Sequence, residues 1–235
     1  MQALRLLEPV GDQWGLAHAE ALLGTIARSE HRLPEAISHL TRAASAASQL
    51  GFTAAEAYHL SNLGRVQQLR GDLPAALRTL GAAIDKACAA GDFRAAAVAR
   101  VRLGRVLRTD GDLEAARSIT TTAKDWYDRY GGGEGALLAE SSLAALDAES
   151  GFPDAVRRLS AVLERARLAQ DHEAEVLTLD ALACVHAVTG DFDQARALLA
   201  RADEIMPVAA HLVFDSDRLD ARRAQALLQT PATLV

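Results

Sequence analysis

Glycine recurs in this sequence at a fixed interval, and that interval constrains the fold more than any short motif does. Two series of glycines keep a step of 40 residues: Gly11, Gly51, Gly91 and Gly131, and Gly71, Gly111 and Gly151. A fixed period of about 20 to 50 residues is typical of a chain that stacks one supersecondary unit. The sequence therefore predicts a repeat architecture in which each unit packs on its neighbours.

The composition predicts that these units are helical. Half of the residues are apolar, but only 4% are aromatic, so the core must consist mainly of Leu, Val and Ala. Such residues suit closely packed helices better than a sheet, which favours β-branched and aromatic side chains. We expect an all-α fold.

Charge and cysteine content limit the partners and the compartment. The net charge of −6 argues against direct contact with DNA, because phosphate binding needs a basic face. Two cysteines, Cys88 and Cys184, form neither a disulfide framework nor a zinc pattern and fit a reducing compartment. The chain shows no leader and no membrane-spanning stretch, so we expect a cytoplasmic location and no membrane partner.

Small residues mark two helices in each unit. A Leu followed by Gly or Ala recurs at steps of 40, 40, 40 and 39 residues, and an Ala or Val follows each small residue after twelve positions. Glycine inside a helix costs about 1 kcal/mol relative to alanine, so its recurrence indicates helices that approach closely. We expect Gly64 to face Ala76 across such a contact.

Turn signals divide the chain into five helical hairpins. Gly-Asp pairs at 71–72, 111–112 and 190–191 are typical of a helix end followed by an Asp N-cap, and Pro34, Pro74 and Pro153 fit first helical turns. The predicted first helices lie near 13–30, 53–70, 93–110, 133–150 and 172–189. Their predicted partners lie near 33–50, 73–90, 113–130, 153–170 and 192–206.

The hairpin pattern resembles the tetratricopeptide repeat (TPR) in its 40-residue form over nearly the whole chain. Leu-Gly in the first helix and two alanines in the second are the packing signature of that family, and Pro207 stands where its terminal proline often falls. Glu20, Arg100 and Glu140 replace the usual tryptophan. The resemblance implies a right-handed α-solenoid of about five TPR hairpins plus a C-terminal capping helix.

A second set of motifs points to a narrower group. These motifs are the segment 11–17, the Gly-Asp turns, the segment 197–203 and the pair Asp217-Arg218. They resemble the C-terminal repeat region of large bacterial transcriptional regulators of the antibiotic-regulatory (SARP) and large LuxR types. This resemblance implies a sensing or scaffolding domain with NTPase and DNA-binding domains attached upstream.

We predict three segments along the chain. Residues 1–12 are expected to be the tail of a truncated preceding repeat helix, 13–206 the five repeats, and 207–235 the capping helix with its tail. In this interpretation Leu4, Leu6 and Leu7 form an apolar edge that a preceding repeat would cover. A charged outer side and an apolar inner side over residues 212–229 are what a capping helix needs.

The sequence contains no recognisable catalytic or metal-binding set. No two histidines are spaced as helical metal ligands, and Val176 stands where a metalloprotease helix beginning at His172 would need its second histidine. The glycines at 131–135 lack the lysine and hydroxyl of a phosphate loop and predict a flexible elbow. An acidic group, from Glu140 to Asp180, is interpreted as a solvated helical face. We expect no enzyme activity, no cofactor and no metal.

One polar constellation stands out on the first helices of the early repeats, which line the concave groove in the TPR fold. Its candidate partner-binding residues are Arg28, Tyr58, Asn62, Arg65, Gln68, Arg102, Arg105 and Arg108. The helix near 93–109 carries five arginines and no acidic residue, which predicts an anionic partner. The other interpretation is that these arginines are solvated or pair with Asp92, Asp110 and Glu114.

The sequence thus predicts a non-catalytic module that binds a protein or peptide, with acidic character, in a concave groove. The first hypothesis is the sensing or scaffolding domain of a larger transcriptional regulator in signalling. The alternative is a free-standing adaptor, or a scaffold that forms a homo-oligomer through its terminal repeats.

Overall fold

The computed structural model describes residues 12–132, 135–152, 154–210, 212–214 and 217–229. Residues 1–11, with Leu4, Leu6 and Leu7, lie outside this part, as does Pro153. Eleven helices and no strand occur in the described ranges, which confirms the all-α prediction.

The chain divides into two compact units, residues 1–126 and 127–235. In the first unit the helices alternate between first and second members of a hairpin, and each packs on the next. They are α1 (Gln13–Ser29), α2 (Leu33–Gln49), α3 (Thr53–Leu69), α4 (Leu73–Ala89), α5 (Phe93–Asp110) and α6 (Leu113–Tyr130), whose last residues belong to the second unit.

The second unit continues the same alternation. Its helices are α7 (Ala136–Glu149), α8 (Ala155–Ala169), α9 (His172–Val188), α10 (Phe192–Ala209) and α11 (Leu219–Gln229). The last of these, α11, packs mainly on α9, where Ala221 and Ala224 meet Ala183 and Ala187. It therefore covers a first helix, as predicted for a cap.

The hairpin turns have the predicted chemistry. Gly71 adopts φ +83°, a left-handed conformation that a side chain disfavours, and the carboxylate of Asp72 accepts a hydrogen bond from Ala75 N at 3.2 Å. The same arrangement recurs at the other two Gly-Asp turns. Local sequence therefore fixes where these helices end and begin.

The paired helices touch at the predicted small residues, but in a shifted register. A β-carbon on Gly64 would lie 2.6 Å from Leu80 Cγ, and its three nearest atoms all belong to Leu80. The expectation that Gly64 faces Ala76 is therefore corrected by about one helical turn. Ala76 itself is fully buried between helices.

Two helix boundaries differ from those expected. Helix α7 begins at Ala136 rather than near 133, because Gly135 takes φ +98° and places its backbone against the ring of buried Tyr127. Helix α10 continues through Pro207 to Ala209. The proline lies in the last turn, where its missing N–H removes a single intrahelical hydrogen bond, so the helix ends shortly afterwards.

Candidate partner-binding surface

The first helices of successive repeats lie next to one another in the first unit. Helix α3 packs directly on α5. Ala27 of α1 shares an apolar cluster with Leu63 and Val66 of α3. Side chains that point away from these contacts therefore form a continuous surface across three helices. We call the eight candidate residues on it the first-helix wall: Arg28, Tyr58, Asn62, Arg65, Gln68, Arg102, Arg105 and Arg108.

A side chain of α5 links the wall to α3. Arg102 Nη1 donates hydrogen bonds to Ser61 Oγ at 2.7 Å and to Asn62 Oδ1 at 3.2 Å. The two wall residues Asn62 and Arg102, 40 positions apart, are therefore in contact. The hydrogen bonds hold the guanidinium at the surface in a defined orientation, because Ser61 is buried and cannot move freely.

The eight wall residues differ in their access to solvent. Tyr58 is 59% exposed, and Arg28, Asn62, Arg102 and Arg105 are half-buried. Arg65, Gln68 and Arg108 are only 9% exposed and pack between helices. A partner could therefore touch the first five directly, whereas the three buried residues support the surface from below.

An aromatic and apolar patch on α1, which the sequence interpretation did not identify, continues the wall. Trp14 stacks on His18 with ring centroids 4.2 Å apart, and Leu22 and Ile26 continue the same four-residue stripe. The spacing of these four side chains was the available signal, since residues four apart lie on one helical face.

His59 lies beneath this part of the wall. Its side chain is buried, its Nδ1 has no hydrogen-bond partner among the described residues, and its ring meets that of Tyr58 at 5.6 Å. Burial, and secondarily the charge of His18, lower the pKa of His59 below its ordinary value. The neutral imidazole is therefore the form that the fold accommodates.

The acidic group of the second unit is not the solvated face that we expected. Asp147 pairs with Arg158, and Glu140 pairs with Arg165 at 2.5 Å. Glu175 is buried and pairs with Arg167 at 3.2 Å. Glu149 pairs with Arg223 of α11. The carboxylates face neighbouring helices rather than solvent because each meets an arginine there.

Asp180 is the most deeply buried of these carboxylates. Arg218 donates to both of its oxygens at 2.8 Å, and also to Asp203 at 2.6 Å. Burial raises the pKa of Asp180, and the two hydrogen bonds from Arg218 oppose that effect. These contacts tie the segment before α11 to α9 and α10, so the acidic residues serve structure here.

Two classes of site were searched for in the described ranges. No group of three or more His, Cys, Asp or Glu side chains is placed to hold a metal ion there. In the same ranges, no helix combines the length and the apolar character that crossing a membrane requires.

Comparison with known proteins adds information on the fold. No family model and no curated protein matches the sequence. Among solved structures the chain is similar to a Rap protein complexed with competence and sporulation factor, at 16% identity and a TM-score of 0.65, over 94% of this chain and 66% of that chain.

Two further structures show the same likeness. BtubC (BKLC) from P. vanneervenii matches at 19% identity and a TM-score of 0.62, over 91% of this chain and 89% of that one. A putative kinesin light chain from Podosopora anserina, with nearly identical TPR-like repeats, matches at 15% identity and a TM-score of 0.58, over 82% and 95%. The chain therefore has the fold of a TPR-like α-solenoid.

Proposed function

We propose that the protein is a non-catalytic interaction module whose first-helix wall binds an acidic protein or peptide. The observation that carries this proposal is the contact of Arg102 with Ser61 and Asn62, which joins cationic and polar side chains of two repeats into one surface. A guanidinium held in this way is oriented before a ligand arrives, which lowers the entropic cost of binding.

Arginine suits the recognition of carboxylates. Its planar guanidinium donates two parallel hydrogen bonds to a carboxylate or phosphate and stays charged at all relevant pH values. Arg102 and Arg105 are half-buried on adjacent faces of α5, and partial burial strengthens an ion pair relative to a fully exposed one. Arg28 of α1 extends the cationic surface.

Charge reversal on the wall tests the proposal. The probe is a fluorescein-labelled peptide of alternating glutamate and glycine, followed by fluorescence anisotropy against the full chain. We expect Arg102→Glu combined with Arg105→Glu to weaken binding about tenfold or more, because two attractions become repulsions. The matched control is Arg78→Glu with Arg129→Glu, which reverses two exposed charges on second helices. Equal affinities for the two double variants would refute the proposal.

We propose further that this array is the sensing or scaffolding part of a larger bacterial transcriptional regulator. The resemblance of the Gly-Asp turns and of the segment 197–203 to such regulators supports this role. Partner binding would shift the population of two arrangements of the attached domains, provided the partner binds one of them more tightly. Sequencing the gene upstream of Met1 tests the role, and an upstream region without NTPase or DNA-binding motifs would contradict it.

One observation favours the alternative, a free-standing adaptor that self-associates through a terminal repeat. Ile26 of α1 is 49% exposed, whereas its equivalents one and two repeats later, Val66 and Val106, are fully buried. A second copy would cover this side chain in the same way as a neighbouring repeat does. Light scattering tests this: a dimer that Ile26→Glu converts to a monomer would support self-association, and a monomeric wild type would exclude it.

A further inference from the structure

We infer that the first-helix wall, together with the adjoining patch on α1, selects a ligand with two parts: a bulky apolar side chain and, about six residues away, an acidic group. The apolar part would contact Trp14 and Leu22 of α1 with Tyr58 of α3, and the acidic part would contact Arg102 and Arg105 of α5. This inference rests on the proposed function and specifies the class of peptide that the surface would bind.

The repeat register shows how the surface changes along the first unit. Leu22, Asn62 and Arg102 occupy the same position of three successive first helices, so that position goes from apolar to polar to cationic. One helical turn later the equivalent residues are Thr25, Arg65 and Arg105. The wall is therefore polarised from α1 to α5, and a ligand that lies across it meets different chemistry at its two ends.

The apolar end is exposed to an unusual degree. Trp14 is 53% exposed and Leu22 is 63% exposed, and Tyr58 of the neighbouring repeat exposes more than half of its surface. Single exposed apolar side chains are ordinary on soluble proteins, but neighbouring ones of this size mark interaction surfaces. Aromatic side chains in particular contribute large contact areas in binding sites.

The two ends are joined by a series of contacts. The ring of Trp14 stacks on that of His18, and the charge of His18 acts on His59 beneath the next helix. The His59 ring contacts Tyr58, which precedes Asn62 by one helical turn on α3. Asn62 accepts a hydrogen bond from Arg102, so the apolar patch and the cationic patch belong to one continuous surface.

The distance between the two ends sets the length of the ligand. Packed helices lie about 8–10 Å apart, so α1 and α5 are separated by about 20 Å across α3. An extended peptide advances about 3.3 Å per residue and covers that distance with about six residues. A peptide with its apolar and acidic groups next to each other could contact only one end at a time.

Three fluorescein-labelled peptides with blocked termini test the inference against the full chain. All contain two glutamates in a Gly-Ser background: one has a tryptophan about six residues from the glutamates, one has it adjacent to them, and one has none. We expect the spaced peptide to bind about tenfold more tightly than the other two, because burial of one large apolar side chain is worth at least that factor.

Two double variants assign the effect to the surface. Trp14→Ser with Leu22→Ser should reduce the affinity for the spaced peptide to that of the peptide without tryptophan, and leave the latter unchanged. The matched control, Leu168→Ser with Val188→Ser, removes two exposed apolar side chains in the second unit and should change nothing. Circular dichroism should show unaltered helicity in both variants, since all four side chains are exposed.

The outcomes separate this inference from the proposed function. If the spaced and adjacent peptides bind equally, or if the Trp14/Leu22 variant retains full affinity, the two-part recognition is wrong while the acidic wall stands. If none of the three peptides binds, or if binding ignores Arg102→Glu, the proposed function itself is wrong.

Discussion

Leu80 lies against the bare backbone of Gly64, so closely that a β-carbon on the glycine would lie 2.6 Å from Leu80 Cγ. Gly24 has the same relationship to Leu40, at 2.7 Å. The glycine that recurs in the first helix therefore makes room for a leucine of the second helix. The repeat of 40 residues reflects this packing requirement, and substitutions can test it.

We expect Gly64→Ala to destabilise the protein. Alanine favours a helix over glycine by about 1 kcal/mol, but overpacking against the branch point of Leu80 costs about 1–3 kcal/mol, so the net change is a loss. Gly81→Ala is the control, because Gly81 of α4 has nothing within 4 Å of its added β-carbon and should gain stability. Urea unfolding measures both, and a gain at both positions would contradict the packing argument.

Loss of Arg218 should destabilise the C-terminal unit strongly. Arg218→Met leaves the Asp180 carboxylate buried without its bidentate partner, which typically costs about 3–5 kcal/mol. The double change Asp180→Leu with Arg218→Met removes both charges and should recover most of that loss. Arg201→Ala breaks an exposed pair with Glu204 and should cost less than about 1 kcal/mol. Thermal unfolding separates these cases, and strictly additive single and double changes would contradict the coupling.

Buried His59 predicts a loss of stability on mild acidification. Burial lowers its pKa in the folded state below the value of 6.5, so the unfolded chain binds the proton more readily. Its stabilising contribution is therefore present above that pH and is lost as pH falls through the folded pKa, by at most about 1.4 kcal/mol per pH unit. His59→Ala, which installs the residue found at positions 99 and 139, should flatten this slope.

The control for that experiment is His31→Asn. His31 is exposed in a turn with φ +58°, a conformation that asparagine also tolerates. Its variant should retain the slope of the wild type between pH 7 and pH 5. A slope that persists in His59→Ala would assign the acid sensitivity to another group.

Glu20 predicts a second loss of stability at lower pH. Burial opposes its charge, but hydrogen bonds from Arg42 at 2.8 and 2.9 Å and the contact with His39 hold the pKa of Glu20 below its ordinary value of 4.5. The stabilisation is therefore present above pH 4.5 and disappears as pH falls through the folded pKa. Glu20→Gln should cost about 1 kcal/mol at neutral pH and reduce the acid-induced loss. An unchanged acid limb of the stability curve would show that Glu20 does not contribute.

The fold was predictable because its signals are local and periodic. The Gly-Asp turn at Gly71 and Asp72 encodes both a left-handed backbone and an N-cap, and these need no distant partner. The helix bounds around it agree with expectation to within one residue. The start of α7 was missed because it depends on the packing of Tyr127 against Gly135.

The candidate surface was predictable only in part. Helical spacing placed Asn62 and Arg102 on corresponding faces, and the structure brings them into contact. Spacing along one helix could not show that Arg65, Gln68 and Arg108 are buried, because burial depends on which neighbouring helix covers them. The patch of Trp14 and Leu22 was overlooked for the same reason.

The sequence by itself determined the all-α class, the hairpin order and the turns, because period, caps and glycine conformation act within a few residues. Only the tertiary structure decided that Leu80 rather than Ala76 fills the space at Gly64, that the acidic residues face arginines, and that Arg102 reaches Ser61. Those outcomes depend on the relative rotation and translation of packed helices, which side-chain volumes fix jointly and which no single segment encodes.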